Sequence, residues 1–168
     1  VSQRLRGFEE VKKEHRQNKK TIVVEQMGEQ TLYAPITLPV RADVRSAGYD
    51  IYLPLDVTLL PGRKTLIWTD IKAYMQEDEV LEIYPRSSLG IKQGIMFGNT
   101  VGIIDSSYYG NEGNDGNIGL SLLNTSGVGV ELKAGDRIAQ GIFKKYLKAD
   151  NDTTLSDTRK GGMGSSGK

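Results

Sequence analysis

From Thr21 onward the sequence is written in short apolar runs rich in β-branched residues, each closed within about 8 to 12 residues by glycine, proline or a polar turn. The runs are Thr21–Glu25, Thr31–Leu38, Ile51–Leu60, Thr65–Ile71, Val80–Tyr84, Ile91–Phe97, Val101–Ile104, Ile118–Leu123, Val128–Leu132 and Ile138–Leu147. Segments this short, at this spacing and without helices between them, predict an all-β sandwich or barrel and disfavour a parallel α/β sheet. At 168 residues the chain suits one domain, and its 20 glycines fit a fold with many turns. No run approaches the roughly 18 apolar residues of a membrane helix.

The chemistry open to such a chain is narrow. It has no cysteine and one histidine, His15. Thiol nucleophiles, disulfides and cysteine-bound zinc are excluded, and a Ser-His-Asp triad or a two-histidine metal site has almost nothing to be built from. Carboxylates, hydroxyls, arginines and a hard metal remain. The absence of cysteine also fits a reducing compartment.

The two ends differ from the middle. Residues 1–20 carry seven basic side chains against three acids, a net +4, which leaves −3 on the rest of a chain whose total is +1. Acids interrupt this basic head and Phe8 is its one aromatic, so it supports at most non-specific phosphate contact, and nucleic acid is not the expected partner. Leu5, Phe8 and Val11 fall at helical spacing, which predicts an amphipathic helix or partly ordered arm from Leu5 to about Lys20. Beyond Ala149 the apolar signal ends in Gly161-Gly162-Met163-Gly164-Ser165-Ser166-Gly167. By composition this is either a disordered tail or a flap whose backbone N–H groups wrap an anion.

Four constellations could carry chemistry, and the tail adds Arg159. Ala47-Gly48-Tyr49-Asp50 puts an acid at a strand entrance. Pro85-Arg86-Ser87-Ser88 sets a guanidinium beside two hydroxyls. Gly135-Asp136-Arg137-Ile138-Ala139-Gln140 is a turn leading into a strand. Arginine forks and hydroxyls together suit phosphate, although an arginine at a strand end also serves in surface ion pairs and Gly-Asp in simple turns. Gly98-Asn99-Thr100-Val101-Gly102-Ile103-Ile104-Asp105-Ser106-Ser107-Tyr108-Tyr109-Gly110 reads as a glycine-bracketed hairpin arm ending in a carboxylate and a ring. Asp105 could equally cap a turn, and Tyr108 could pack on the sheet edge.

Taken in order from about Ile36 to Gly167, these segments resemble the five motifs of the homotrimeric dUTPase family, nucleotidohydrolases that convert dUTP to dUMP and pyrophosphate. Asp105 with Tyr108 and Gly110 is the most specific element, followed by Gly135–Gln140. The resemblance implies a jelly-roll-like β barrel over residues 36–148, an N-terminal basic extension over 1–35, and a glycine-rich arm over 149–168 that closes on bound nucleotide. It also implies a homotrimer with each site shared between subunits, in the cytoplasm, or the host cytoplasm for a virus-encoded chain.

The same resemblance implies roles. Asp105 would be the general base, aligning water on the α-phosphorus. Arg86, Ser87, Ser88, Gln140, Arg159, Ser165 and Ser166 would contact the phosphate chain, with Gly164 in the closing arm. Mg2+ would sit on the phosphates, with Asp50 holding metal-bound water. The main chain of the segment containing Gly102 and Ile104, helped by Asn99, would pair with uracil, and Tyr108 would lie under the deoxyribose. Three positions depart from the family pattern: Met163 stands where phenylalanine usually stacks on uracil, Ser107 replaces a second acid, and Ser88 replaces glycine. Glu112–Asn117 reads as an insertion at a solvated hairpin tip, and it or the N-terminal extension could dock a protein partner. A dCTP deaminase, which shares the barrel and phosphate apparatus, is the neighbouring enzyme class.

Overall fold

Strand alternation places the core. In β9 (Glu79–Pro85) Leu81 and Ile83 are fully buried while Val80, Glu82 and Tyr84 face outward, and in β12 (Gly119–Asn124) Leu120, Leu122 and Asn124 point inward. The computed structural model describes residues 3–159 and 161. Its strands are β1 (Gly7–Glu10), β2 (Lys19–Val24), β3 (Gly28–Tyr33), β4 (Val40–Arg41), β5 (Tyr49–Tyr52), β6 (Val57–Leu59), β7 (Lys64–Trp68), β8 (Ile71–Tyr74), β9, β10 (Ile95–Phe97), β11 (Gly102–Asp105), β12, β13 (Val130–Leu132) and β14 (Arg137–Lys145). All pairings are antiparallel. A five-stranded sheet in the order β11-β9-β14-β5-β4 and a three-stranded sheet β10-β12-β7 share one core, in which Ile51, Leu81, Ile83 and Ile138 belong to the same cluster as Ile67, Ile95, Leu120 and Leu122. The ribbons β1-β8, β13-β6 and β2-β3 complete the molecule. The all-β class expected from the strand pattern is the one observed.

Four local expectations are corrected. The segment from Leu5 to Lys20 is not a helix. Residues 7–10 pair with β8, a 3-10 turn covers Lys13–His15, and β2 begins at Lys19. Pairing with β8 satisfies the backbone while Val11 is fully buried and Phe8 packs against Tyr49 and Phe143, with ring centroids 5.5 and 5.3 Å away. Leu5, which a core-facing helix would have covered, stays 39% exposed. Tertiary pairing has overridden a weak local preference.

The strand expected over Ile91–Phe97 begins only at Ile95, after a short helix α1 (Ser87–Gln93) that Gly94 ends in the left-handed conformation at φ 68°. The glycine-bracketed hairpin is in fact a crossing between sheets, because β10 pairs with β12 while β11 pairs with β9. Thr100 at φ 70° turns the chain, and the Gly98 N–H donates to the Ser121 carbonyl at 2.8 Å.

The 112–117 loop is also not a solvated tip. Asp115, Gly116 and Asn117 are buried, with Asp115 4% exposed. Its Oδ2 accepts from Lys72 Nζ at 2.7 Å and from the Lys12 N–H at 2.9 Å, and His15 Nδ1 lies 3.1 Å from the Gly113 carbonyl. The N-terminal segment and the 112–117 loop therefore hold each other.

Candidate active site

The outer face of the five-stranded sheet carries two polar centres at opposite corners. At one corner Asp50 of β5, 6% exposed, is paired across strands with Gln140 of β14, and Gln140 in turn with Tyr84 of β9. Arg86, at the end of β9 before α1, donates from Nη1 to Asp50 Oδ1 at 2.5 Å, and Arg137 Nη1 reaches Asp50 Oδ2 at 3.5 Å.

A bulge makes this corner. Arg137 opposes Tyr52 and Ala139 opposes Ile51, so Ile138 is the extra residue of β14. Ile138 and Ala139 are both buried, and the period resumes with Gln140 beside Asp50. Without the inserted residue, burying Ile138 would carry Gln140 to the core side. Gly48 answers a second constraint, since a β-carbon there would lie 2.5 Å from Gln140 Oε1. Next to this corner is an open polar cleft of about 350 Å³ lined by Arg86, Ser88, Gln93, Gly135, Asp136 and Arg137 among others. Ser87 is exposed at the start of α1. Two guanidinium groups and a hydroxyl suit an anionic group with several oxygens, and the buried Asp50 carboxylate orients the guanidinium groups.

At the other corner Asp105 ends β11 opposite Val80. Its side chain is 58% exposed, and Arg159 Nη1 contacts its Oδ2 at 3.3 Å. The Arg159 guanidinium lies 5.1 Å from the centroid of the Tyr108 ring. Tyr108 is 4% exposed; its hydroxyl donates to the Asn117 carbonyl at 2.6 Å and accepts from Asn114 Nδ2 at 2.9 Å. Burial pushes the Tyr108 phenol above its usual value, against the opposing effects of Asn114 and Arg159, so it stays protonated at neutral pH.

Gly102 and Ile104 lie on β11, an edge strand, so every second residue turns its backbone groups away from β9. Asn99 is exposed in the preceding turn, its Nδ2 3.5 Å from the Val101 carbonyl.

The structure thus groups Asp50, Arg86, Ser88 and Gln140 in one place and Asp105, Tyr108 and Arg159 in another. Met163, Gly164, Ser165 and Ser166 lie outside the described residues. Asp105 is four residues along β9 and three strands across from Asp50, a separation of about 20 Å at ordinary strand rise and spacing. Arg137 owes its approach to Asp50 to a bulge that carries no sequence signal, and the type of Asn114 and Asn117 reads as turn, so none of the three stands out in the sequence as a site residue.

Among the described residues no three His, Cys, Asp or Glu side chains converge on a metal position. Asp50 already lies beside two guanidinium groups and is better suited to accept from metal-bound water than to ligate directly. Mg2+, which keeps several waters and takes other ligands from phosphate oxygens, fits that donor set. Nor does any helix among the described residues have the length and apolarity to cross a membrane.

The dUTPase family model matches residues 34–167. The deoxyuridine 5'-triphosphate nucleotidohydrolase of Lactococcus lactis is 42% identical over 135 residues, covering 80% of this chain and 90% of that protein. The Mus musculus protein of the same name is 38% identical over 136 residues, 79% of each chain. The crystal structure of dUTPase from Streptococcus mutans superposes with a TM-score of 0.65 at 40% identity, over 67% of this chain and 88% of that one. With sequence, fold and motif placement in agreement, the chain belongs to the dUTPase family.

Proposed function

We propose that this chain hydrolyses dUTP to dUMP and pyrophosphate, keeping uracil out of DNA and supplying dUMP for dTMP synthesis. The observation that carries the reading is the Asp105 carboxylate, exposed at the end of an edge strand beside Arg159 and Tyr108. Asp105 takes a proton from water as the water oxygen bonds to the α-phosphorus. The bond from that phosphorus to the bridging oxygen breaks, and the electron pair leaves with pyrophosphate. Arg86, Arg137, Ser87, Ser88 and Gln140 bind the phosphate chain. Mg2+, when bound, offsets the charge of the phosphates, with Asp50 accepting from its water ligands.

Base choice falls to the edge of β11. Backbone groups near Gly102 and Ile104, with Asn99, match the donor and acceptor order of uracil, and cytosine presents two of them reversed. Tyr108 floors the sugar site and leaves no room for a 2′-hydroxyl. Arg159, which lies over the Tyr108 ring, turns onto the phosphates as nucleotide enters, and the arm of residues 149–168, including Met163, Gly164, Ser165 and Ser166, closes over the nucleotide. A triphosphate with its metal does not reach across the separation between the Asp105 and Arg86 corners. The reading therefore assembles each site from neighbouring copies in a homotrimer, located in the cytoplasm.

The test is pyrophosphate release from dUTP, UTP and each deoxynucleoside triphosphate, with and without Mg2+. The expected outcome is release from dUTP far above that from UTP or any other triphosphate, dependent on Mg2+. Equal release from all substrates, or ammonia from dCTP, contradicts it. Arg86→Gln, which removes a forked cation and retains one amide donor toward Asp50, is expected to lower kcat/KM for dUTP about a hundredfold with the fold kept. Steady-state kinetics on the folded variant check this.

A further inference from the structure

The 111–117 loop fixes the orientation of Asn114. Its Oδ1 accepts from Asn111 Nδ2 and from the Gly116 N–H, both at 3.0 Å, which leaves Nδ2 to donate to the Tyr108 hydroxyl. That hydroxyl spends its own proton on the Asn117 carbonyl. Asn117 is tied down in turn: its Oδ1 accepts from the Asp70 N–H at 3.0 Å, and its Nδ2 donates to Asp70 Oδ1 at 2.8 Å. Asp70, 1% exposed, also receives the N–H groups of Gln17 and Asn18 at 2.8 and 2.9 Å. The loop backbone closes on the same ring. Gly116 has φ 79°, and a β-carbon there would lie 2.5 Å from the Tyr108 carbonyl oxygen.

A ring that excludes one hydroxyl by contact does so only as firmly as it is held, since a tilt of a fraction of an ångström opens the space. We propose that Asn114 and Asn117 are positioning residues for Tyr108, and that the 111–117 loop, braced by the N-terminal segment through Asp70, sets the preference for the deoxyribonucleotide over the ribonucleotide. This rests on the reading of Tyr108 as the floor of the sugar site. The loop is then a specificity element whose reach extends from residue 17 to the reacting nucleotide, although none of its side chains touches the base or the phosphates.

The experiment measures kcat/KM for dUTP and for UTP in the full-length wild type, Asn114→Ala, Asn114→Asp, Tyr108→Phe and Tyr108→Phe combined with each Asn114 change. Asn114→Asp keeps the acceptor that holds the loop and replaces the donor to Tyr108 with a second, charged acceptor, so it decides the matter if Asn114→Ala fails to fold. The dUTP-to-UTP ratio is expected to fall about tenfold in either Asn114 variant, the size of one lost hydrogen bond, and to show no further fall when Asn114 is changed in the Tyr108→Phe background. A merely structural role lowers both substrates together and leaves the ratio at its wild-type value, which overturns the proposal. An equal, independent fall in the Tyr108→Phe background overturns it as well. If the wild type itself releases no pyrophosphate from dUTP, the fault lies with the hydrolase reading; if it does and the ratio is unmoved, the fault lies with the role of Asn114.

Discussion

Asp105→Asn is expected to lower kcat for dUTP by about three orders of magnitude while nucleotide binding and folding are retained. General-base contributions fall in the range of about 10² to 10⁴, and the asparagine amide can still hold a water without taking its proton. The fold is spared for a local reason. Asp105 sits at the end of an edge strand, largely exposed, and its one ion pair in the described residues is to Arg159 at 3.3 Å. An exposed pair of that kind contributes little to stability. Calorimetric binding of a non-hydrolysable dUTP analogue, set beside the pyrophosphate assay, separates the two effects. Near-native turnover in the variant would remove Asp105 from the chemistry.

Asp115→Ala has the opposite signature: it is expected to cost about 3 kcal/mol of stability before any kinetic consequence is considered. Lys72 is 5% exposed and Asp115 4%, and their contact at 2.7 Å is the pin between the 112–117 loop and β8. Removing one partner strands the Lys72 ammonium and the Lys12 N–H, with Glu9 at 3.9 Å offering only partial replacement. Changing both partners together, Lys72→Met with Asp115→Leu, should recover most of the loss, since a buried pair replaced by apolar groups of similar volume is often neutral.

The pH dependence has a definite sign. Burial pushes the Asp115 carboxyl up, but the hydrogen bonds from Lys72 and the Lys12 N–H, with the charge of Lys72, outweigh it and leave the carboxyl below its usual value. Its stabilisation is therefore complete above about pH 4 and lost as pH falls through the depressed value, so the gap between wild type and Asp115→Ala narrows in acid. Urea denaturation at fixed protein concentration across pH 3 to 7 measures it; a constant gap would mean that the charge of Asp115 is not what holds the loop.

How far the sequence could be read depended on whether a period survived folding. β9 and β12 follow strict alternation, and their inward residues Leu81, Ile83, Leu120 and Leu122 were visible as β-branched and leucine-rich runs. β14 was visible as a strand, but its bulge was not, because Ile138 and Ala139 buried in succession look like any apolar pair. The relation of Gln140 and Arg137 to Asp50 was hidden with it. α1 had no signal at all, being seven residues long with Gly90 inside it and no side-chain cap at Arg86.

Polar residues misled most. Asn111, Asp115 and Asn117 have the composition of a solvated turn, yet they are buried, and no buried side-chain nitrogen or oxygen among the described residues lacks a partner. The partners of Asp115 and Asn117, which are Lys72, Asp70 and the backbone at residues 12 and 15, come from distant parts of the chain and cannot be found by spacing. Asp50, Arg86, Asp105, Tyr108 and Gln140 were legible because the order of their motifs is preserved along the chain, which does not depend on knowing how the strands pair.

The most direct measurement is complementation between two inactive chains. Asp105→Asn and Arg86→Gln subunits are co-expressed with different tags, and mixed assemblies are recovered on both and assayed for pyrophosphate release from dUTP. If Asp105 of one chain completes the phosphate-binding corner of another, every mixed closed trimer carries one complete site of three and shows about a third of wild-type activity, although neither parent alone exceeds about a hundredth of it. Mixed assemblies as inactive as their parents would place both corners in one chain's site and contradict the account.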